Sequence, residues 1–237
     1  MADQLYLSLW FPNFRFDTLP ASLVSVMRQF ALISGGTYPP GKRVHAASVY
    51  PINFTEAPTY QRIYVNDARS EENQDTSGSI IESAVAEATE QLHDDMAYEF
   101  EMRWLLWSPE LAEAEPNPYP EEDPDPEYES TALDTLWKLQ PATVRILGLG
   151  PQFDDASFEQ NGHIRIDFGL DTPWLAETLA DEQLDEDATK HIQQNVEMLL
   201  AFTLSVEKNC GISSRLLWTE SGEPLAQKLI DRLQRVN

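Results

Sequence analysis

The side chains of this chain that could carry out acid–base chemistry are carboxylates and imidazoles. His163 and Asp167 lie four residues apart in a segment with strand character, and Asp154 and Asp155 precede them. An imidazole and a carboxylate can exchange protons with a substrate near neutral pH when the fold brings them together. His163 and Asp167 are therefore the candidate catalytic residues.

Residues 36–43, GTYPPGKR, match seven of the eight positions of the phosphate-binding pattern G-x-x-x-x-G-K-[ST]. Arg43 stands where the Mg²⁺-binding Ser or Thr belongs, and Pro39 and Pro40 each remove a backbone N–H from the cradle. Periodicity also places a helix before this loop and a strand after it, which reverses the order of a phosphate-binding loop. We therefore predict a stiff connector here, and no cofactor.

Residues that bind metals or act as nucleophiles show no diagnostic spacing. Cys210 is the only cysteine, and it follows a long amphipathic pattern as a small helix-ending residue would. Neither H-x-x-x-H nor H-E-x-x-H occurs among the four histidines, which are His45, His93, His163 and His191. Residues 181–190 are rich in carboxylates but lack the glycine and the final glutamate of an EF-hand loop. We predict no metal site.

The net charge is −24, from forty acidic and sixteen basic residues. Residues 66–137 hold 21 acidic residues, and the basic residues among them are Arg69 and Arg103. Nucleic acids and anionic membranes are poor partners for such a surface, because their binding depends on Lys and Arg. The charge favours a basic protein partner, and adaptation to salt is an alternative explanation.

The acidic character peaks in residues 115–130, EPNPYPEEDPDPEYES, which hold five prolines, seven acidic residues and no basic one. Proline cannot donate to a β-ladder, and crowded like charges resist burial. The segment is predicted to be a solvated linker or long loop. The candidate partner-binding residues are its central carboxylates together with a tryptophan that we expect to be partly exposed: Glu121, Glu122, Asp123, Asp125, Glu127 and Trp174.

The elements that must position these residues follow from hydrophobic periodicity. Alternation predicts strands near residues 5–11, 44–52, 60–65, 98–107, 143–149, 163–169 and 212–218. Helical spacing predicts helices near residues 18–34, 79–92, 188–208 and 221–236, a short helix over 132–139 and a helix start at Thr172. This order predicts an α+β protein with mostly antiparallel sheet or sheets and helices on one face.

The chain divides into an N-terminal α+β half (residues 1–110), an acidic Pro-rich linker or long loop (111–131) and a C-terminal α+β half (132–237). Both halves show strand, strand, helix and strand in that order, and several residues match at offsets of about 100–111. Two ferredoxin-like (split βαβ) halves from an internal duplication are therefore a hypothesis, and one packed domain is the alternative.

The leading functional hypothesis is a non-catalytic protein-interaction module that engages a basic partner, because no catalytic signature is present and the charge is concentrated. The alternative is a hydrolase-type enzyme that uses carboxylates or a histidine in a cleft between the halves. The lack of a basic N-terminal region, of a membrane-length apolar run and of paired cysteines favours a cytoplasmic protein. No sequence feature specifies an oligomeric state.

Overall fold

A computed structural model gives the fold of the chain, and it describes residues 3–34, 42–52, 57–64, 76–111, 135–153, 162–175 and 186–221. The strands are β1 (Gln4–Trp10), β2 (Ala46–Tyr50), β3 (Tyr60–Ile63), β4 (Ala97–Leu111), β5 (Thr135–Leu149), β6 (Ile164–Leu170) and β7 (Ser214–Thr219). The helices are α1 (Leu19–Ile33), α2 (Thr76–Ala88), α3 (Thr172–Leu175) and α4 (Glu186–Asn209), and a 3-10 turn (Phe16–Thr18) precedes α1.

The seven strands form one sheet in the order β3-β2-β4-β5-β6-β1-β7, and every neighbouring pair is antiparallel. The helices cover one face of this sheet, so the predicted α+β class and antiparallel arrangement are confirmed. Alternate residues of each strand face the helices, as Tyr98, Phe100, Met102 and Trp104 of β4 do, and all four are fully buried.

The core lies between this face of the sheet and the helices. Aromatic rings form its centre, where Trp104 of β4 packs on Phe30 of α1 with 5.3 Å between ring centroids and Phe30 meets Phe202 of α4 edge-on at 5.5 Å. Phe168 of β6 stacks on Trp104 with 5.5 Å between ring centroids. Residues from both predicted halves therefore share one hydrophobic core.

The strand order bears on the predicted halves. β1 lies between β6 and β7, and β5 and β6 separate it from β4. The four strands of residues 1–107 are thus not contiguous, as those of a ferredoxin-like unit would be. The series hairpin, helix, strand does occur twice, as β2-β3-α2-β4 and as β5-β6-α4-β7 with the short α3 inserted. An internal duplication is not shown by this arrangement and stays a prediction.

The prediction of a short helix over residues 132–139 is wrong. β5 begins at Thr135 and pairs with β4 along its whole length, from Thr135 opposite Leu111 to Leu149 opposite Ala97. Local spacing did not reveal this pairing, because partners on β4, from Leu111 opposite Thr135 to Trp107 opposite Leu139, decide it and lie outside any local sequence window. The strand also continues through Pro141, where the sequence indicated a break.

Other predicted elements lie close to their expected positions. α1 ends at Ile33 and β2 begins at Ala46, so helix precedes strand around the glycine–proline loop, although residues 35–41 lie outside the described part of the chain. Cys210 follows α4 and its backbone N–H bonds to Val206 O, as expected of a helix-ending residue. None of the described helices has the length and apolarity that crossing a membrane requires.

Candidate functional site

The middle strands β4 and β5 extend past the rest of the sheet. β2 pairs with β4 only over residues 97–101, and β6 pairs with β5 only over residues 145–148. Beyond these points, residues 103–111 of β4 and 135–143 of β5 pair with each other and with no other described strand. We call this two-stranded extension the ribbon.

The β4 edge of the ribbon is closed by a side chain of α4. The backbone N–H of Trp107 donates to Asn195 Oδ1 at 2.9 Å, and Asn195 Nδ2 donates to Trp107 O at 2.9 Å and to Pro173 O at 2.8 Å. Asn195 is 1% exposed, so its amide satisfies backbone groups that a further strand would otherwise pair. Two residues further along, Pro109 has no N–H to leave unpaired on this edge.

Aromatic side chains hold the ribbon against α4. The His191 ring lies 4.1 Å from the Trp107 ring and 5.3 Å from the Trp137 ring, with an interplanar angle of 17° to the latter. Trp107 and Trp137 come from opposite strands of the ribbon, so His191 ties both strands to the helix. Both strands of the ribbon are therefore held against α4.

The β5 edge of the ribbon is free of described strands because β6 turns away from it. One residue lies between Gln4 and Tyr6 on β1, but two lie between their partners Leu170 and Asp167 on β6, which is a β-bulge. Gly169 lies in this bulge with φ of +79°, a conformation that glycine adopts readily. The pairing of β6 with β5 ends at Asp167 opposite Arg145.

The side chains along this edge are exposed and largely apolar. Leu139 is 48% exposed, Pro141 is exposed and Trp137 is half-buried. They share one face of the strand, because residues 137, 139 and 141 alternate with Lys138 and Gln140. A sheet edge with exposed apolar side chains is unusual for a monomer and typical of an interaction surface.

The ribbon also fixes where the acidic segment is attached. Leu111 and Thr135 are directly paired at the far end of the ribbon, so residues 112–134 leave and re-enter the fold at neighbouring points. Those residues include nine acidic side chains and no basic one. The candidates Glu121, Glu122, Asp123, Asp125 and Glu127 all belong to this segment and lie outside the described residues.

The predicted catalytic pair is not brought together. His163 and Asp167 lie on the same run of extended chain, four residues and about 13 Å apart. Asp167 Oδ1 accepts the N–H of Gly169 at 2.8 Å and so stabilises the bulge, while its Oδ2 lies 3.9 Å from Arg145 Nη1. Asp167 thus stabilises the backbone turn at Gly169 and forms an ion pair with Arg145.

His163 is committed to structural contacts of its own. Its Nδ1 accepts the N–H of Phe11 at 3.0 Å, and its ring stacks on Phe14 with 4.1 Å between centroids. Burial lowers the pKa of His163, which favours the neutral imidazole that this hydrogen bond requires. This histidine joins β6 to the end of β1.

The expectation that Trp174 is partly exposed is wrong. Its side chain is 0% exposed, and its indole N–H donates to Asn195 O at 3.2 Å. Trp174 lies in the one-turn helix α3, which presses the ring against Phe168 and Trp104. The large apolar side chain following Pro173 is therefore a core residue.

A cluster of charged residues lies on the sheet face opposite the helices. Register places Glu101, Arg145 and Asp167 directly across from one another on β4, β5 and β6. Arg145 Nε lies 3.3 Å from Glu101 Oε1 and 3.9 Å from Glu99 Oε1. Burial raises the pKa of Glu99, and Arg145 opposes that shift. Ion pairing between neighbouring strands accounts for this cluster.

Sequence reasoning missed Asn195, Trp137 and Leu139 as the residues that shape the ribbon. The spacing of Trp137, Leu139 and Pro141 is a strand alternation that the helix prediction obscured. Within the described ranges, no group of three His, Cys, Asp or Glu side chains could hold a metal ion. Comparison of the chain with protein-family models, with curated proteins and with solved structures finds no match.

Proposed function

We propose that this protein is a non-catalytic interaction module that engages a basic protein partner through the ribbon and the acidic segment joined to its end. One observation carries the proposal. The pairing of Leu111 with Thr135 attaches an acidic segment of 23 residues beside an edge that exposes Leu139 and Pro141.

The two parts of this surface supply different contributions to binding. Carboxylates raise the rate of encounter with a positively charged protein and select it over acidic proteins. Half-exposed Trp and Leu side chains supply the apolar anchor that contributes most of the affinity at protein interfaces. Trp137 can in addition accept the charge of an arginine or lysine over its ring face.

The proposal is tested by changing the charge of the segment without changing its length. In the test variant, five carboxylates become amides: Glu121→Gln, Glu122→Gln, Asp123→Asn, Asp125→Asn and Glu127→Gln. A control variant neutralises five exposed carboxylates elsewhere on the protein: Asp17, Glu90, Asp95, Glu197 and Glu220. Both variants gain the same net charge, so they differ only in where the charge is removed.

Each protein is immobilised and exposed to cell lysate at low and at high salt, and the retained proteins are identified and quantified. We expect the native protein and the control variant to retain a specific basic protein at low salt and release it at high salt. The test variant is expected to lose most of that retention. Equal retention by both variants, or retention that ignores salt, would refute the proposal.

A further inference from the structure

The direction of the backbone groups along the ribbon follows from the Asn195 contacts. Trp107 and Leu139 are directly opposite, and both backbone groups of Trp107 bond to Asn195. They therefore do not bond to Leu139, and the pair is of the non-hydrogen-bonded kind. The N–H and C=O of Leu139 consequently point away from β4.

The backbone N–H and C=O groups of every second residue of β5 point in this same direction, away from β4. Leu149, ten residues further along, donates its N–H to His163 O on the β6 side, while Gly150 donates to Met96 O on the β4 side. Trp137, Leu139, Pro141 and Thr143 thus direct their backbone groups toward the side that β6 has left. With respect to the described strands, that edge offers three N–H donors, because Pro141 has none, and four C=O acceptors.

The dimensions of this edge suit a short extended peptide. Residues 137–143 span about 20 Å, which corresponds to six or seven residues of a strand. Leu139 and Pro141 on one face of β5, and Gln140 on the other, would flank the side chains of an added strand. Main-chain hydrogen bonds would provide affinity, and these side chains would provide selectivity.

The negative charge of the chain favours one kind of occupant for this edge. The chain carries a net charge of −24, and the end of the ribbon is joined to a segment with nine acidic residues and no basic one. A second copy of the chain would bring two such segments onto paired ribbons, and like charges would oppose the contact. Residues 137–143 themselves carry one charge, that of Lys138, so the attraction for a lysine- or arginine-rich strand comes from the acidic segment that joins β5 at Thr135.

We infer that the edge of β5 over residues 137–143, which no described strand pairs, is a strand-addition site at which an extended basic segment of the partner pairs with the ribbon. This inference rests on the proposed function and specifies its binding mode. Gly169 and Asp167 divert β6 from this edge, and Asn195 occupies the opposite edge of the ribbon, so among the described residues of the ribbon it is β5 that offers backbone groups to a partner strand.

The probe for this site is a synthetic peptide of about nine residues that alternates lysine with valine. A second peptide has the same side chains but carries N-methyl groups on the amides of one edge, so that edge cannot donate to a ladder. A third peptide has glutamate in place of lysine. Binding to the full chain is measured by fluorescence anisotropy at low and at high salt.

Two variants of the protein isolate the backbone of the edge. Leu139→Pro removes the outward N–H and leaves the ladder to β4 intact, because that N–H does not take part in it. Leu139→Ala removes most of the side chain but keeps the N–H. Circular dichroism and urea unfolding of both variants report whether the fold is retained, and the N-methylated peptide tests the same bonds on the native protein.

We expect N-methylation of the peptide and Leu139→Pro each to weaken binding about tenfold or more, and Leu139→Ala to weaken it less. If the lysine peptide binds in a salt-dependent way but neither change affects its affinity, strand addition is wrong while the proposed function stands. If the lysine and glutamate peptides bind equally, the proposed function itself fails. A native dimer that Leu139→Pro dissolves would overturn the inference in favour of a second copy.

Discussion

At the scale of single residues, the buried polar groups of this protein serve its architecture. Asn195 replaces a missing strand along one edge of the ribbon, and His163 accepts a backbone N–H at the end of β1. Helical spacing predicted the helix over residues 188–208, but it did not mark Asn195 as one of the buried residues of α4. A polar residue on an apolar stripe becomes favourable only through tertiary partners, which local spacing cannot show.

Asn195→Ala is expected to destabilise the protein by about 3 kcal/mol, because it leaves the buried N–H and C=O of Trp107 and the C=O of Pro173 without their partner. Gln193→Ala on the same helix is the control. Gln193 is exposed and donates to the exposed Glu197 on the same helix, so its loss is expected to cost less than about 0.5 kcal/mol. Urea unfolding compares the two, and similar costs would contradict the role of Asn195.

His163 makes stability depend on pH in a defined direction. Burial holds its pKa below the ordinary value of 6.5, so the unfolded chain binds the proton more readily than the folded one. Its contribution to stability is present above pH 6.5 and is lost as the pH falls through the lower folded pKa. We expect the free energy of unfolding to fall less on acidification in His163→Asn, whose Oδ1 can accept the Phe11 N–H without titrating.

Urea unfolding of native protein and His163→Asn at about pH 7.5, 6.5 and 5.5 measures this difference. The carboxylates are common to both proteins, so the difference between their pH profiles isolates residue 163. Parallel profiles through this range would show that His163 does not titrate differently in the folded and unfolded chains.

At the scale of elements, local periodicity predicted the existence and type of β1, α1, β4 and α4, whose patterns are long and regular. It predicted the strand over residues 143–149 but failed for the first part of β5, residues 135–142, which becomes a strand by pairing with β4. Nor could it predict the bulge at Gly169, since a glycine in a strand pattern does not reveal which partner it turns away from. The ribbon depends on both of these features. Local sequence patterns therefore could not predict the candidate site.

Gly169→Ala is expected to cost about 1 kcal/mol, because a side chain rarely adopts φ of +79°. A Cβ at this position meets no atom within 4 Å, so backbone conformation alone sets the cost. Gly169→Asn, which tolerates a left-handed conformation better, is the matched control and should cost less. Equal destabilisation by Ala and Asn in urea unfolding would argue against the bulge as the cause.

At the scale of the whole molecule, the α+β class and the antiparallel sheet with helices on one face followed from the order of elements. The joining of both predicted halves into one sheet did not, because β1 crosses into the C-terminal half to lie between β6 and β7. The acidic segment accordingly connects two paired strands, with its ends together at Leu111 and Thr135. Because the acidic segment joins the chain at the end of the ribbon, its negative charges are attached beside the exposed edge of β5.

The net charge has a consequence for stability that is independent of any partner. Forty acidic and sixteen basic residues repel one another on balance in the compact state. We expect the free energy of unfolding to rise as sodium chloride increases from about 0.02 to about 0.5 M, because salt screens this repulsion. The variant with five neutral amides in residues 121–127 should show a smaller rise, and an unchanged salt dependence would place the repulsion elsewhere.

The most direct measurement of the central claim is residue-level amide hydrogen exchange along β5, without and with the lysine–valine peptide. In the free protein, we expect fast exchange at Trp137, Leu139 and Thr143 and slow exchange at Lys138 and Gln140, which bond to β4. On binding, the three fast amides should become protected while the slow ones stay so. Protection of the three in the free protein, or no change at them when the peptide is bound, would contradict the account.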